Sequence, residues 1–132
     1  MGPQHGAFCW NELNTNNAGA AKPFYSELFG WHFKESKDGM PYTEIGLTEE
    51  RPFGGIFQLP EEMANIPPFW MAYVAVDDVD ASAKKVEALG GKVHKEPTDI
   101  PGVGRFCIIA DPAGAVMAII TLSMTGEHGD KA

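Results

Sequence analysis

The chain has 132 residues, of which 44% are hydrophobic and 21% charged, a composition that fits one globular domain with its own core. The net charge is −8, and an acidic surface repels phosphate backbones and anionic lipids, which argues against nucleic-acid and membrane partners. The longest apolar run, 115–120, is too short to cross a bilayer, and the first residues lack signal-peptide features, so we expect a cytoplasmic protein.

The first part of the chain predicts a strand followed by a helix. The strand covers about 7–15; Asn17 can cap the helix and Gly30 can end it. Pro23 predicts that the helix starts late or kinks. The helix has an apolar stripe at helical spacing, formed by Ala20, Ala21, Phe24 and Leu28.

Three further strands are predicted after this helix, over 31–34, 42–47 and 55–59. Asp38 and Gly39 favour a turn between the first two of them. The proline-rich stretch 60–68 is typical of a connector.

The second part of the chain predicts the same order of elements. A strand over 70–76 precedes a helix that Asp78 caps and that glycines at 90 and 91 end. Strands over 92–94, 106–110 and 116–122 follow, with a loop after the first and a tight turn at 111–114 before the last. The helix stripe is expected from Val79, Ala83, Val86 and Leu89.

The two parts are a repeat. Asn17 and Asp78 are 61 positions apart, as are Gly30 and Gly91. The repeat predicts an α+β fold of two βαβββ modules within a single domain over 1–132: module one at 6–60, a linker at 61–68, module two at 69–122 and a tail at 123–132.

The two cysteines, Cys9 and Cys107, are distant in sequence and lie in apolar, strand-like segments. We expect two buried, reduced thiols, with a disulfide as the alternative. Reduced thiols agree with the expected cytoplasmic location.

Several segments together resemble the vicinal oxygen chelate superfamily of glyoxalases, bleomycin resistance proteins and extradiol dioxygenases. They are FYSELFGW at 24–31, VDDVDASAKKVEALGGKV at 76–93 and DPAGAVMAI at 111–119. WNEL at 10–13 and IPGVGRF at 100–106 are similar to a glyoxalase-like branch whose reaction is unassigned. The resemblance implies two modules whose sheets form a shared cup, and members that commonly pair as homodimers.

In metal-dependent members of this superfamily, His and Glu side chains bind a divalent cation in the cup. The resemblance places these ligand positions at Trp10, Met71, Ala118 and, within a residue or two, Gln58. None of these is a good ligand for such a cation. His32 and His94 are at second-strand positions, which do not usually supply ligands in this superfamily, while His5 precedes the first strand and His128 is in the tail. We therefore expect no metal cofactor, with a divalent metal as the alternative.

Strand alternation and the resemblance together predict the residues that line the cup. The expected ligand-binding residues are Trp10, Asn14, Phe57, Gln58, Trp70, Met71, Tyr73, Arg105 and Ala118. Glu12 is the candidate catalytic residue, because a carboxylate among aromatic rings can act as a general base. Each has a structural alternative: Glu12 and Arg105 in ion pairs, and the tryptophans in core packing or a dimer contact.

These residues favour a small-molecule binding protein that holds an organic ligand in an apolar cup without the family metal. The alternatives are a metal-dependent lyase or dioxygenase of the glyoxalase type, and a metal-free enzyme with Glu12 as general base. Whether the chain is an enzyme stays open at this point. We expect a small organic ligand and a homodimer.

Overall fold

A computed structural model describes residues 3–35 and 42–123. The chain divides into two compact units, one of Trp10–Met71 and one of Met1–Cys9 with Ala72–Ala132. The described elements, in chain order, are β1 (Phe8–Thr15), α1 (Ala18–Phe29), β2 (His32–Glu35), β3 (Tyr42–Gly46), β4 (Pro52–Gln58), a 3₁₀ turn (Glu61–Met63), β5 (Phe69–Ala75), α2 (Val79–Ala88), β6 (Lys92–Ile100), β7 (Gly104–Ala110) and β8 (Val116–Leu122).

The unit Trp10–Met71 contains the strand order β2-β3-β4-β1. β1 and β4 are parallel, and the other neighbours are antiparallel. The core lies between this sheet and α1, where Leu13, Ile45 and Ile56 are buried. Alternate strand residues therefore face the helix, and the residues between them face away from it.

Helix α1 is bounded as the sequence predicts. The side chain of Asn17 accepts a hydrogen bond from the Ala20 backbone N–H, and Gly30 ends the helix in the left-handed conformation at φ 75°. Of the two effects expected from Pro23, a late start is wrong, because the helix begins at Ala18 and continues through Pro23, and a kink stays a prediction.

The expected apolar stripe of α1 is correct at Ala21 and wrong at Phe24 and Leu28, which are exposed. Ala18, Ala21 and Tyr25 pack on the core, while Phe24 is 60% exposed. The Tyr25 ring stacks on Trp31 with centroids 5.3 Å apart.

The second unit contains the strand order β5-β8-β7-β6. Its core joins α2 to the sheet through Val79, Ala83, Cys107 and Ile119. Asp78 caps α2 by accepting from the Ala81 backbone N–H, as predicted. Leu89 is not part of the buried stripe, because the helix ends at Ala88 and the leucine is 75% exposed.

Strand β6 is longer than the sequence predicts, since the expected loop after residue 94 is a strand to Ile100. Two register shifts against β7 interrupt the ladder, one of them between Lys95 and Thr98. Such bulges accommodate Pro97, which has no backbone N–H to donate. The turn before β8 is as predicted, because Asp111 Oδ1 accepts from the backbone N–H groups of Ala113 and Ala115 at 2.9 Å.

These elements confirm the predicted α+β class and the order βαβββ in both halves. The cup shared between the modules stays a prediction. The Asp38-Gly39 turn and the tail beyond residue 123 lie outside the described residues. Within 3–35 and 42–123, no helix is long and apolar enough to cross a membrane.

Candidate functional site

One face of the Trp10–Met71 sheet carries most of the predicted site residues of that unit. Leu13 packs under α1, so its neighbours in β1 that alternate with it, Trp10, Glu12 and Asn14, project from the other face. Register adds residues of β3 and β4 to this face: Asn14 pairs with Phe57, and Phe57 pairs with Tyr42. We call this set the Trp10 face; it comprises Trp10, Glu12, Asn14, Tyr42, Glu44 and Phe57.

Two cross-strand rows organise the Trp10 face. The first row is Asn14, Phe57 and Tyr42, and the second is Glu12, Gly55 and Glu44. Because adjacent strands lie about 4.8 Å apart, each row places its side chains next to one another. The second row therefore has a carboxylate on either side of a glycine.

The Tyr42 side chain crosses from the first row to the second. A Cβ on Gly55 would lie 2.0 Å from the Tyr42 hydroxyl oxygen, so the absence of a side chain at Gly55 gives the phenol its place. That hydroxyl accepts a hydrogen bond of 2.7 Å from Trp10 Nε1. The Trp10–Tyr42 pair thus lies over Gly55, in the row that Glu12 and Glu44 flank.

Sequence reasoning did not identify Tyr42 and Glu44. Their signal was present, since the predicted strand over 42–47 alternates Tyr42 and Glu44 with Thr43 and Ile45, both of which are buried. What the sequence could not supply was the pairing of this strand with β4.

Gln58 does not line the Trp10 face. It shares strand parity with Ile56, which is in the helix-side core, and its Oε1 accepts a hydrogen bond of 2.8 Å from the Ala18 backbone N–H. The expectation that Gln58 and Phe57 line the same wall is therefore corrected. The physical reason is that the first turn of α1 needs an acceptor for its unpaired backbone N–H groups.

The superfamily's metal positions do not fit a divalent cation in this chain. The Trp10 indole donates a hydrogen bond to Tyr42, and the Gln58 side chain accepts one from the first turn of α1. Met71 and Ala118 are buried, and neither has a side-chain atom that suits such a cation. In the described part of the chain, no group of three or more His, Cys, Asp or Glu side chains could hold a metal ion.

The described histidines lie in other environments. His32 Nε2 is 3.3 Å from Glu49, and both side chains are largely exposed. His5 Nδ1 accepts from the Asp77 backbone N–H at 2.9 Å, and His94 is exposed on β6. His128 lies outside the described residues.

Arg105 belongs to an ion-pair cluster. Its Nε and Nη2 donate to the two carboxylate oxygens of Asp80 on α2 at 3.0 and 3.1 Å, and Nη1 donates to Asp99 at 3.0 Å. The structure thus places Arg105 in the ionic arrangement that was the alternative to ligand binding.

The other predicted ligand-binding residues lie in two places. Tyr73 pairs in register with Ala118, and its ring centroid is 6.4 Å from that of Phe106, in the second unit. Trp70 instead joins an aromatic cluster beside α1, where its Nε1 donates to the Tyr25 hydroxyl at 3.3 Å. Met71, the next residue of β5, is buried.

Both cysteines are free thiols, which excludes the disulfide alternative. Cys107 is fully buried and Cys9 is half-buried. Burial raises the pKa of both thiols, and for Cys107 the nearby negative charges of Glu96 and Asp80 raise the pKa further. Neither thiol is therefore activated as a nucleophile.

The sequence model of the Glyoxalase/Bleomycin resistance protein/Dioxygenase superfamily matches residues 7–119, and the chain belongs to this superfamily. A Mycobacterium bovis protein with the provisional name glyoxylase CFP32 is 38% identical over 117 residues, covering 87% of this chain and 44% of that protein. The anthracycline biosynthesis protein DnrV of Streptomyces peucetius is 34% identical over 131 residues, covering 86% and 46%. The chain spans less than half the length of these curated relatives.

Solved structures agree on the fold. The methylmalonyl-CoA epimerase of Mycobacterium tuberculosis has a TM-score of 0.61 and 16% identity, with 93% of each chain covered. The Mn(II)-bound glyoxalase of Novosphingobium aromaticivorans has a TM-score of 0.59 and 20% identity, covering 89% of this chain and 39% of that one. At these identities the likeness concerns architecture alone, because one fold hosts many reactions.

Proposed function

We propose that this chain binds a small organic molecule at the Trp10 face and does so without the metal of its superfamily. The observation that carries the proposal is the hydrogen bond of 2.7 Å between Trp10 Nε1 and the Tyr42 hydroxyl over Gly55. It presents an indole and a phenol in a fixed orientation next to polar groups. Aromatic surface with a few placed polar groups is typical of sites for small molecules.

The donor atoms of this face support a ligand that is held by stacking and hydrogen bonds. Trp10, Tyr42 and Phe57 offer aromatic surface, while Asn14 is buried and its Nδ2 donates only a long bond of 3.4 Å to the Glu12 carbonyl. A planar molecule that presents hydrogen-bonding groups matches these features.

The metal-free part of the proposal rests on chemistry at the ligand positions. An indole, a thioether, a methyl group and a helix-capping amide occupy the places where the superfamily uses imidazole and carboxylate. Divalent cations strongly prefer imidazole and carboxylate ligands to these four groups.

A second candidate function is a metal-free enzyme in which Glu12 acts as general base. It is favoured by the register that places Glu12 opposite Gly55, above which the Tyr42 hydroxyl lies. A carboxylate and a phenol in adjacent positions can take a proton from a ligand and give one to it. In this candidate, Glu12 is the catalytic residue that takes the proton, and the Tyr42 hydroxyl gives one.

A homodimer is also part of the proposal, because members of this superfamily commonly pair as dimers. Sedimentation velocity of the purified protein tests this, and a monomer at all concentrations would contradict it.

The main test is a thermal-shift screen with phenols, aromatic acids and quinones, because a molecule that binds the native state raises the melting temperature. We expect a hit that is lost in Trp10→Leu and kept in Leu89→Ala, which alters an exposed leucine in the other unit. Glu12→Gln separates the two candidates: with the hit as substrate, loss of turnover with retained folding and binding favours the enzyme.

Metal analysis of gently purified protein tests the other half of the proposal. We expect zinc, nickel, manganese and iron well below one per chain, and no rise of melting temperature with any of them. Stoichiometric metal that disappears in Glu12→Gln would contradict a metal-independent site.

A further inference from the structure

The helix side of the same unit has an aromatic cluster that the proposed function does not use. Trp31 lies at its centre, with ring centroids 5.5 Å from Phe53 and 6.0 Å from Trp70. Both neighbours meet Trp31 at steep interplanar angles, 70° and 80°. At these angles the rings of Phe53 and Trp70 stand upright beside Trp31 and form two walls.

A bulge in β4 brings Phe53 to this side. Ile45 pairs with Gly54, but Gly46 pairs with Pro52, so Phe53 is an extra residue in the ladder. A bulge re-aims the side chain of the extra residue. Phe53 therefore packs on the helix-side core with Trp31, although simple alternation from Ile56 would point it away.

These walls enclose a cavity of about 290 Å³ that we call the Trp31 pocket. Its floor is Ile45 and Gly54, both buried. Gly54 must be a glycine, because a Cβ there would lie 2.3 Å from the Asn11 backbone oxygen. The lining is Asn11, Trp31, Ile45, Phe53, Gly54 and Trp70, so the pocket belongs wholly to the Trp10–Met71 unit.

The pocket opens to solvent through an aromatic rim. Trp70 is 42% exposed although its ring is fixed by Tyr25, on which it also packs edge-to-face. The part of the Trp70 ring that is left in water at the mouth of the cavity is therefore held in place and available to a ligand.

The size and lining define the chemistry of the occupant. A protein cavity of about 150 Å³ accommodates benzene, so this volume suits two fused rings. Among the residues that the structure describes, no charged side chain lines the pocket, which favours a neutral molecule. Asn11 is part of this lining, and its amide offers both a donor and an acceptor.

We propose that the Trp31 pocket is a second small-molecule site, which takes a neutral bicyclic aromatic ring whose hydroxyl or carbonyl bonds to the Asn11 amide. It lies on the opposite face of the sheet from the Trp10 face, because Asn11 and Leu13 share the strand parity that faces α1. The site is independent of the proposed function, and either can fail without the other.

The test uses 2-naphthol as the probe and isothermal titration calorimetry of the full chain. We expect one probe molecule per chain with the native protein and with Leu89→Ala. Trp70→Ala removes one wall, and Asn11→Leu keeps the shape of the side chain but removes the amide. Each should weaken binding by about tenfold, because Trp70→Ala loses an aromatic contact with the probe and Asn11→Leu loses a hydrogen bond to it.

Folding of both variants is checked by circular dichroism, and Asn11→Leu carries the test if Trp70→Ala is unfolded. Native-like binding by the folded Asn11→Leu variant would overturn the proposal. So would loss of binding in Trp10→Leu with binding kept in Asn11→Leu, which assigns the probe to the Trp10 face. A dimer that dissociates in Trp70→Ala, with no heat from 2-naphthol, would assign the pocket to a second copy of the chain and also overturn it.

Discussion

The side chain of Gln58 reaches the start of α1, where its Oε1 accepts the Ala18 backbone N–H at 2.8 Å. Asn17 Oδ1 accepts a second N–H of the first turn, that of Ala20. The amide at the approximate metal position of module one therefore stabilises a helix end, where backbone N–H groups lack partners within the helix. This role explains a glutamine here without reference to a ligand.

The first prediction follows from this contact. Gln58→Leu should lower the free energy of unfolding by about 1 kcal/mol, because it removes the acceptor at the helix start. Gln58→Glu keeps an acceptor and places negative charge near the helix N-terminus, so it should match the native protein. Urea denaturation of the three proteins measures this, and equal stability of the leucine variant would contradict the capping role.

The second prediction concerns the Trp10–Tyr42 hydrogen bond. Tyr42→Phe removes the acceptor of Trp10 Nε1 and should lower the free energy of unfolding by about 1 kcal/mol. The matched control is Tyr25→Phe, which removes the acceptor of Trp70 Nε1 at 3.3 Å at an exposed site. Tyr25→Phe should lower the free energy of unfolding by less than Tyr42→Phe, because the hydrogen bond that it removes is longer. Urea denaturation ranks the stabilities of the two variants. A larger loss in Tyr25→Phe than in Tyr42→Phe would contradict a stabilising role for the Trp10–Tyr42 hydrogen bond.

The third prediction contrasts adjacent glycines. Gly54→Ala sets a Cβ 2.3 Å from the Asn11 backbone oxygen, so strands β1 and β4 must separate, at a cost of about 2 kcal/mol or more. Gly55→Ala meets the end of the Tyr42 side chain at 2.0 Å, which can swing away. Gly55→Ala should therefore cost less stability but break the Trp10–Tyr42 bond.

Two measurements check the glycine pair. Urea denaturation should rank Gly54→Ala as the less stable protein, and the Trp10 indole N–H resonance should shift in Gly55→Ala NMR spectra. An unshifted indole resonance would show that Tyr42 does not lie over Gly55.

The regular elements were predictable because each carries its own local signal. Asn17 and Asp78 have side chains that cap helices, and Asp111 begins a turn that its own carboxylate organises. These interactions join residues within four positions, so they leave a pattern in the sequence. The 61-residue repeat then predicts the same order of elements in both halves, because a repeated sequence pattern favours a repeated structural unit.

The sites were less predictable because they depend on pairing and on exceptions to alternation. Phe53 faces the helix only because a bulge adds one residue to β4. Tyr42 reaches Trp10 because β3 pairs with β4, and that pairing leaves no local signal in the sequence. Arg105 has a charge that suits an anionic ligand, but whether Asp80 and Asp99 already satisfy it is decided by tertiary structure.

The last prediction concerns alkaline pH. Burial raises the pKa of the Cys107 and Cys9 thiols above the ordinary value near 9, so the folded state retains thiol protons that the unfolded state releases. The stabilisation is present in full below that ordinary value and is lost as pH rises through the raised values. Stability should therefore fall above about pH 9, and less steeply in a Cys9→Ala/Cys107→Ala variant. Urea midpoints between about pH 7 and pH 10 measure the slopes, and identical slopes in the two proteins would contradict a contribution from the thiols.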